Sequence, residues 1–343
     1  MQIVYADSHH AHRPKTFLVA GAPRPCPEVP ERADCLCEAI SAAGHVIVAP
    51  PDYGAAPRET VHTSQYLTFL ETIHARWSLI AGASDEVLPN VHPVRRSAGY
   101  PDSAAGQAGY HMADMACPIG PDTWMAACAA ANAATHAAEL VLAAGAAAYA
   151  LCRPPGHHAY SDMAGGFCYL NNTAIAAQHL RSRYERVAII DVDLHHGNGT
   201  QGIFYRRADV LTISIHADPT GFYPFFWGYA GETGEAEGNG YNLNLPLARG
   251  SDDKPFLAAV STALDRIRQF EPGALVVALG LDASKDDPFA GLAVSTAGFG
   301  EILHRLGALG LPTVLVQEGG YLCDSLGRNL VSALTGFEAG HAL

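Results

Sequence analysis

The chain has 343 residues, of which 34 are acidic and 21 are basic, so its formal net charge is −13. This acidity argues against a nucleic-acid partner, which requires clustered Lys and Arg. Hydrophobic residues make up 49 % of the composition, enough for a large core, and no uninterrupted apolar stretch has the length of a membrane-spanning helix.

Strand-like and helix-like segments alternate along residues 1–343 without a linker between them. The alternation predicts a single α/β domain, in which helices cover both faces of a mainly parallel sheet of roughly eight strands. Predicted strands are 2–5, 46–49, 148–152, 187–192, 210–215, 242–245, 275–280 and 313–317. Predicted helices are 31–43, 64–77, 123–144, 171–184, 255–270, 296–309 and 322–336, the third with Asp122 as N-cap and Gly145 as its stop.

Two features concern the cellular compartment. The first seven residues lack the basic region and the apolar run of a signal peptide. The eight cysteines contain no CxxC pair, and Cys35 and Cys37 are two apart in a predicted helix, where such positions do not face each other. Most of the cysteines are therefore interpreted as small buried residues in a reducing cytoplasm.

Residues 81–121 interrupt the alternation. This segment is long, polar in places and rich in Gly, Pro and Ser. A loop of this length inside a compact domain is usually functional or disordered. We therefore predict a loop insertion at about 81–121.

Three apolar runs end at titratable residues. The run from Val187 to Ile190 leads into residues 191–196, which contain two carboxylates and two imidazoles. Residues two apart in an extended segment project to the same side, so Asp193 and His195 converge, whereas His196 points away and is interpreted as a packed histidine. The other two runs end before His157 and His158, and before Asp282. Ligands of open α/β sheets bind at these carboxyl ends, and a plain polar loop would not explain so many ligand-type residues.

These residues belong to motifs that resemble the zinc-dependent histone deacetylase superfamily, and within it the bacterial acetylpolyamine amidohydrolases. The motifs are Arg-Pro-Pro-Gly-His-His at 153–158, Gly-Gly-Phe-Cys-Tyr-Leu-Asn-Asn at 165–172, Asp-Val-Asp-Leu-His-His-Gly-Asn-Gly-Thr-Gln at 191–201, Asp282, and Glu-Gly-Gly-Tyr at 318–321. The resemblance covers essentially the whole chain, from Pro-Glu-Arg-Ala at 30–33 to the C-terminal helix. The resemblance implies the three-layer α/β/α fold of arginases and deacetylases.

The resemblance implies that Asp193, His195 and Asp282 hold a catalytic metal, Zn²⁺ or in the cell Fe²⁺. Three protein ligands leave an open position for water, whose pKa the metal lowers. A binuclear manganese ureohydrolase shares the fold, but Asn198 and Ala283-Ser284 deprive a second metal of its carboxylates.

Roles for the remaining catalytic residues also follow from the resemblance. His158 is expected to be the general base and then the general acid. His157 is expected to be its electrostatic partner, oriented by Asp191. The matching partner of His158 is Asn198, where many relatives carry Asp. Tyr321 is expected to donate a hydrogen bond to the oxyanion of the tetrahedral intermediate.

Further implied positions concern the substrate, the product and monovalent cations. Phe167 and Tyr223 match the aromatic walls of the substrate tunnel, and Arg32 and Gly156 match positions near the inner cavity that releases acetate. A first K⁺ site would use Asp191, Asp193, His195, Ser214 and Ile215, and a second would use backbone oxygens near Phe204, Arg207 and Val210.

In the acetylpolyamine branch, the insertion takes part in dimerisation and narrows the entrance, which implies a homodimer through 81–121. That branch meets the distal ammonium of the polyamine with acidic residues. Here Ala105 and Ala116 stand at those positions, and the nearby Asp114 is the candidate substitute.

The sequence thus predicts a zinc-dependent amidohydrolase that removes acetyl or another small acyl group from acetylated polyamines or similar small amines. An acetyl-lysine protein deacetylase shares the chemistry and differs in tunnel access. A non-catalytic acyl-amine sensor is disfavoured because the metal ligands, both histidines and Tyr321 are all present.

Overall fold

Eight parallel strands form the central sheet of the computed structural model, which describes residues 1–93 and 99–342. The described residues contain ten strands, of which β2 and β3 lie outside this sheet. In chain order they are β1 (Gln2–Val4), β2 (Thr16–Val19), β3 (Ala22–Pro25), β4 (Val46–Val48), β5 (Ala147–Ala150), β6 (Val187–Asp191), β7 (Val210–Ala217), β8 (Asn242–Leu247), β9 (Ala274–Leu279) and β10 (Thr313–Gln317). The sheet order is β4-β1-β5-β10-β9-β6-β7-β8, and every neighbouring pair is parallel. The predicted sheet is confirmed.

Helices cover both faces of this sheet. They are α1 (Glu31–Ala42), α2 (Ala56–Glu59), α3 (Ser64–Trp77), α4 (Ala104–His111), α5 (Thr123–Ala144), α6 (Asn172–Leu180), α7 (Asn198–Phe204), α8 (Asp253–Phe270), α9 (Thr296–Gly307) and α10 (Leu326–His341). In the part of the chain that the structure describes, no helix is both long enough and apolar enough to cross a membrane.

The core lies on both sides of the sheet because successive strand residues point to opposite faces. Ile189 and Val276 pack with α3, α5 and α6 on one face. Ile190 and Val277 pack with α1, α8, α9 and α10 on the other. The continuous apolar runs of the strands follow from this burial on both faces.

Several local features differ from the sequence prediction. The strands β2 and β3 form a hairpin that was not predicted, since its strands are partly exposed and lack an apolar alternation. The short helices α2, α4 and α7 were also missed. The helix α10 begins at Leu326 and not at Leu322, because residues 322–325 still belong to the turn after β10.

The ends of α5 show one expected and one unexpected feature. Gly145 ends the helix with a left-handed φ of 65°, as predicted. Asp122 occupies the N-cap position, but its side chain accepts no bond from the helix. The hydroxyl of Thr123 accepts the N–H of Gly120 instead, which secures the entry to the helix.

The insertion at 81–121 is more than the loop that was predicted. The backbone N–H of Val87 donates to the carbonyl of Ile119 at 2.9 Å, which closes its base. It also contains α4, whose N-cap Ser103 accepts the N–H of Gly106 at 3.1 Å. Alanine and glycine give α4 no apolar period, so sequence pattern did not reveal it. Residues 94–98 of the insertion lie outside the described residues.

Candidate metal centre and active site

Two carboxylates and one imidazole converge beyond the carboxyl ends of β6 and β9, which are neighbours in the sheet. One ligand atom each of Asp193, His195 and Asp282 lies within 4.8 Å of the other two. The Nδ1 atom of His195 is 3.0 Å from Asp282 Oδ2 and 3.3 Å from Asp193 Oδ1. The structure therefore brings the three predicted ligands together.

Backbone groups orient this cluster. The N–H of Gly319 donates to Asp193 Oδ2 at 2.7 Å, and the N–H of Leu194 donates to Asp282 Oδ1 at 2.9 Å. Gly319 also leaves room for the cluster, because a Cβ atom there would lie 2.3 Å from Asp282 Oδ2 and 2.5 Å from Asp193 Oδ2.

The electrostatics of the cluster favour a bound cation. Burial, with the added charge of Asp193, raises the pKa of Asp282 to about 6. Burial alone would lower the pKa of His195, but its contacts with Asp193 and Asp282 raise that pKa to about 9. A divalent cation would offset the two buried negative charges. Two carboxylate oxygens and one imidazole nitrogen, with an open side toward a cavity, fit a catalytic zinc site.

A second group of ligand-type atoms lies behind the first and comprises His157, Cys168 and Glu318. The Glu318 carboxylate already accepts three hydrogen bonds, from the Thr173 hydroxyl at 2.6 Å and from the N–H groups of Gly156 and His157 at 2.6 and 3.0 Å. Burial raises the pKa of Glu318 to about 7. We interpret this group as the support that holds residues 156–157 against the end of β10.

The two adjacent histidines have different partners. The Nδ1 atom of His157 is 2.8 Å from Asp191 Oδ2, and the Nδ1 atom of His158 is 2.6 Å from Asn198 Oδ1. Burial opposes charge on His157, but Asp191 and Asp193 hold its pKa well above the usual range. Burial, His157 and His195 hold the pKa of His158 well below it. Because the amide oxygen accepts the Nδ1 proton, the Nε2 atom of His158 is left free to take a proton.

Tyr321 is placed by the loop that follows β10. Gly320 has a φ of 114°, and a Cβ atom there would lie 2.7 Å from Leu281 Cβ, so the turn requires glycine. The guanidinium of Arg32 donates to the carbonyls of Gly320 at 2.6 Å and Glu318 at 2.8 Å. Burial raises the pKa of the Tyr321 phenol well above its usual range, so the hydroxyl remains a donor.

Sequence reasoning did not find the buried acid behind this loop. Glu28 is 0 % exposed, accepts from Arg32 Nη1 at 2.7 Å and lies 2.9 Å from Arg153 Nε. Arg32, which the resemblance associates with acetate release, is thus bonded to the Tyr321 loop and to Glu28. Gly156 packs against backbone, since a Cβ there would be 2.4 Å from Asn172 N. Two of the motifs touch this network: Pro-Glu-Arg-Ala at 30–33 contains Arg32, and Arg-Pro-Pro-Gly-His-His at 153–158 contains Arg153.

A cavity of about 540 Å³ leads from the Asp193-His195-Asp282 cluster to the surface. Phe167 and Tyr223, the predicted walls, both line it, and Phe167 adopts a positive φ of 67°. The rim includes Phe17 and Leu18 of the hairpin, which sequence reasoning missed together with the hairpin itself. The ring of Tyr223 packs edge-on against His158, with centroids 4.9 Å apart.

Ala105 and Ala116 stand where the acetylpolyamine branch has acidic residues, and Asp114 is the candidate substitute. The three residues lie in different places. Asp114 and Ala116 line the cavity. Ala105 packs against the core and is not among the residues that line the cavity. The Asp114 carboxylate accepts the Tyr223 hydroxyl at 2.6 Å and the N–H groups of Ala116 and Gly166 at 2.8 and 3.2 Å.

The residues of the first K⁺ site are partly brought together. Asp191 is paired with Ser214 across β6 and β7, and both line an internal cavity of about 10 Å³. At the positions named for the second site, the carbonyl of Phe204 accepts the N–H of Arg207 at 2.9 Å. His196 is buried and contacts Gln201 Oε1 at 2.9 Å, as predicted for a packed histidine.

A parallel sheet between two layers of helices, with a buried Asp-His-Asp cluster at the carboxyl ends of its strands, defines the class of arginase- and deacetylase-like folds. Residues 26–337 match the histone deacetylase domain family. The chain therefore belongs to the histone deacetylase family.

Named relatives narrow the similarity within this family. The chain is 50 % identical to an acetylpolyamine amidohydrolase of Burkholderia pseudomallei over 96 % of both chains. It is 42 % identical to acetylpolyamine amidohydrolase 2 of Pseudomonas aeruginosa, over 99 % of this chain and 100 % of the relative. A crystal structure of acetylpolyamine aminohydrolase from Burkholderia pseudomallei superimposes with a TM-score of 0.96, at 48 % identity over 99 % of both chains.

Proposed function

We propose that the protein is a zinc-dependent amidohydrolase that removes acetyl or another small acyl group from acetylated polyamines or similar small amines. The observation that carries the proposal is the convergence of Asp193, His195 and Asp282 at the inner end of a largely apolar cavity. The names of the relatives supply the substrate class. Zinc held by these residues would supply a Lewis acid and lower the pKa of a bound water.

The proton transfers are assigned to His158. Its Nε2 atom is free to take the proton of the attacking water, because Nδ1 donates to Asn198. The same atom then returns the proton to the leaving amine nitrogen. His157, held against Asp191, contributes positive charge beside the reacting centre.

Tyr321 is assigned to the oxyanion. Its hydroxyl donates a hydrogen bond to the oxygen that becomes negative in the tetrahedral intermediate. The phenol proton is retained because burial raises its pKa. Arg32 and Gly320 position the ring, and Phe167 with Tyr223 enclose the methylene chain of the substrate.

The proposal has three further parts. K⁺ is assigned to the small cavity beside Asp191 and Ser214. A homodimer through the 81–121 insertion is supported by exposed apolar side chains in or beside it, namely Val91, Leu79 and Ile80. A cytoplasmic location is supported by eight cysteines that are all free thiols.

Metal binding and turnover are tested together with Asp193→Ala. We expect the variant to lose bound zinc and the hydrolysis of acetylputrescine, because one of three ligands is removed. Asp122→Asn, which removes a charge from the N-cap of α5, serves as the matched control and should retain both. Chelated wild-type enzyme should regain activity with Zn²⁺. Full turnover by metal-free enzyme would refute the mechanism.

A further inference from the structure

The cavity offers a cationic substrate few partners. Among the described residues, the carboxylates that line it belong to Asp114 and Asp193 only. Residues 94–98 contain neither Asp nor Glu. Asp193 belongs to the group of candidate metal ligands. Of the carboxylates that line the cavity in the described residues, Asp114 is therefore the one that could pair with a distal ammonium.

Asp114 is already committed to the protein. One oxygen, Oδ2, accepts the Tyr223 hydroxyl at 2.6 Å and the Gly166 N–H at 3.2 Å, and the other accepts the Ala116 N–H at 2.8 Å. Gly166 directly precedes Phe167, so the carboxylate ties the insertion to both aromatic walls at once. A charge-assisted bond of this kind is stronger than a neutral one and holds each wall at a fixed distance.

The outer part of the cavity is apolar. Five of the residues that line it are Phe17, Leu18, Phe225, Phe226 and Trp227. Leu18 is 41 % exposed and Phe226 is 82 % exposed, so apolar surface is available to a substrate. A substrate tail that leaves the cavity here meets rings and methyl groups.

We infer that Asp114 is a positioning residue that sets the width of the cavity, and that the enzyme selects its amine by apolar contact along the chain rather than by an ion pair with a distal ammonium. This revises the expectation that Asp114 binds the ammonium. The inference rests on the proposed function, because it takes deacetylation of a small amine as given.

Two substrates of equal length separate apolar selection from ion pairing. Acetylcadaverine ends in an ammonium group, and N-acetylhexylamine ends in a methyl group. A site built to hydrogen-bond a substrate N–H discriminates against the analogue without it by about 10⁴-fold, whereas an apolar pocket discriminates by only about 10- to 200-fold per methylene. We expect the two kcat/KM values to lie within about tenfold of each other at 0.15 M salt, where long-range attraction by the acidic surface is screened beyond about 8 Å.

Variants of Asp114 and Tyr223 test the positioning role. Asp114→Asn and Asp114→Ala should lower kcat/KM for both substrates by the same factor, so that their ratio remains unchanged. Asp114→Asn should be the milder change, because the amide oxygen still accepts from Tyr223. Tyr223→Phe should add little to Asp114→Ala, because both break the same bond. Asp122→Asn removes an equal charge outside the cavity and controls for net charge.

The opposite pattern would overturn the inference. If acetylcadaverine is preferred by more than about 100-fold and Asp114→Asn abolishes that preference alone, Asp114 binds the ammonium. The wild-type ratio decides the first point even if Asp114→Ala does not fold. Failure of the proposed function is distinguishable, because it would leave neither acetylated amine hydrolysed.

Discussion

At the scale of single residues, the hydroxyl of Tyr321 is the group most easily isolated. Tyr321→Phe should keep zinc bound and lower kcat by about 100- to 1,000-fold, because it removes one donor to the oxyanion. Steady-state kinetics and metal analysis measure the two effects separately. Tyr184→Phe is the control, because Tyr184 precedes β6 and so lies at the amino ends of the strands, away from the site. An unchanged kcat in Tyr321→Phe would remove the hydroxyl from the mechanism.

Glu28 provides a test of the support behind that tyrosine. Glu28→Gln is isosteric but leaves the buried Arg32 and Arg153 without their carboxylate. Breaking a buried ion pair commonly costs about 3–5 kcal/mol, and denaturant unfolding should show a loss of this size.

The matched control for Glu28 lies three residues further along the chain. Glu31 pairs with Arg13 on the surface, where both side chains are more than half exposed. Glu31→Gln should change the free energy of unfolding by no more than about 1 kcal/mol. Equal losses in the two variants would mean that the buried network does not stabilise the fold.

At the scale of elements, the carboxyl ends of neighbouring parallel strands explain why the site forms. Because β6, β9 and β10 are adjacent, residues far apart in the chain reach one point. The insertion adds the outer part, since Asp114 follows α4 and contacts Tyr223. We also expect the insertion to form the interface of the proposed homodimer.

Val91→Asp should convert a dimer to a monomer. Val91 belongs to the insertion and is 57 % exposed, so a carboxylate there would be buried without a partner in the interface. Val46→Asp is the control, because Val46 is 64 % exposed but belongs to β4, outside the insertion. Light scattering measures both. A wild-type protein that is already monomeric would contradict the dimer.

At the scale of the whole molecule, the long cavity predicts a preference for slim substrates. Acetylputrescine and acetylcadaverine should have a higher kcat/KM than an acetyl-lysine histone peptide, because the cluster lies at the inner end of an aromatic-walled cavity. A panel of these substrates under one salt condition measures the preference. If the peptide is hydrolysed best, the protein-deacetylase alternative takes the place of the polyamine proposal.

The sheet and the convergence of Asp193, His195 and Asp282 could be predicted from sequence because their signals are local. Continuous apolar runs mark strands that are buried on both faces, and ligand-type residues directly follow them. The hairpin at 16–25 and the helix α4 could not be predicted, because neither has an apolar period. Their stability depends on contacts with distant segments.

By itself, the sequence determined the parallel α/β architecture and brought Asp193, His195 and Asp282 to neighbouring strand ends, because strand patterns and the residues that follow them are properties of short segments. The role expected of Tyr321 came from the resemblance to the deacetylase family. Only the tertiary structure decided which groups Glu28 and Asp114 contact. Asp114 and Tyr223 are 109 residues apart in the chain, and Glu28 and Arg153 are 125 residues apart. A carboxylate is free or committed according to the donors that folding places around it, and those donors cannot be read from its neighbours in sequence.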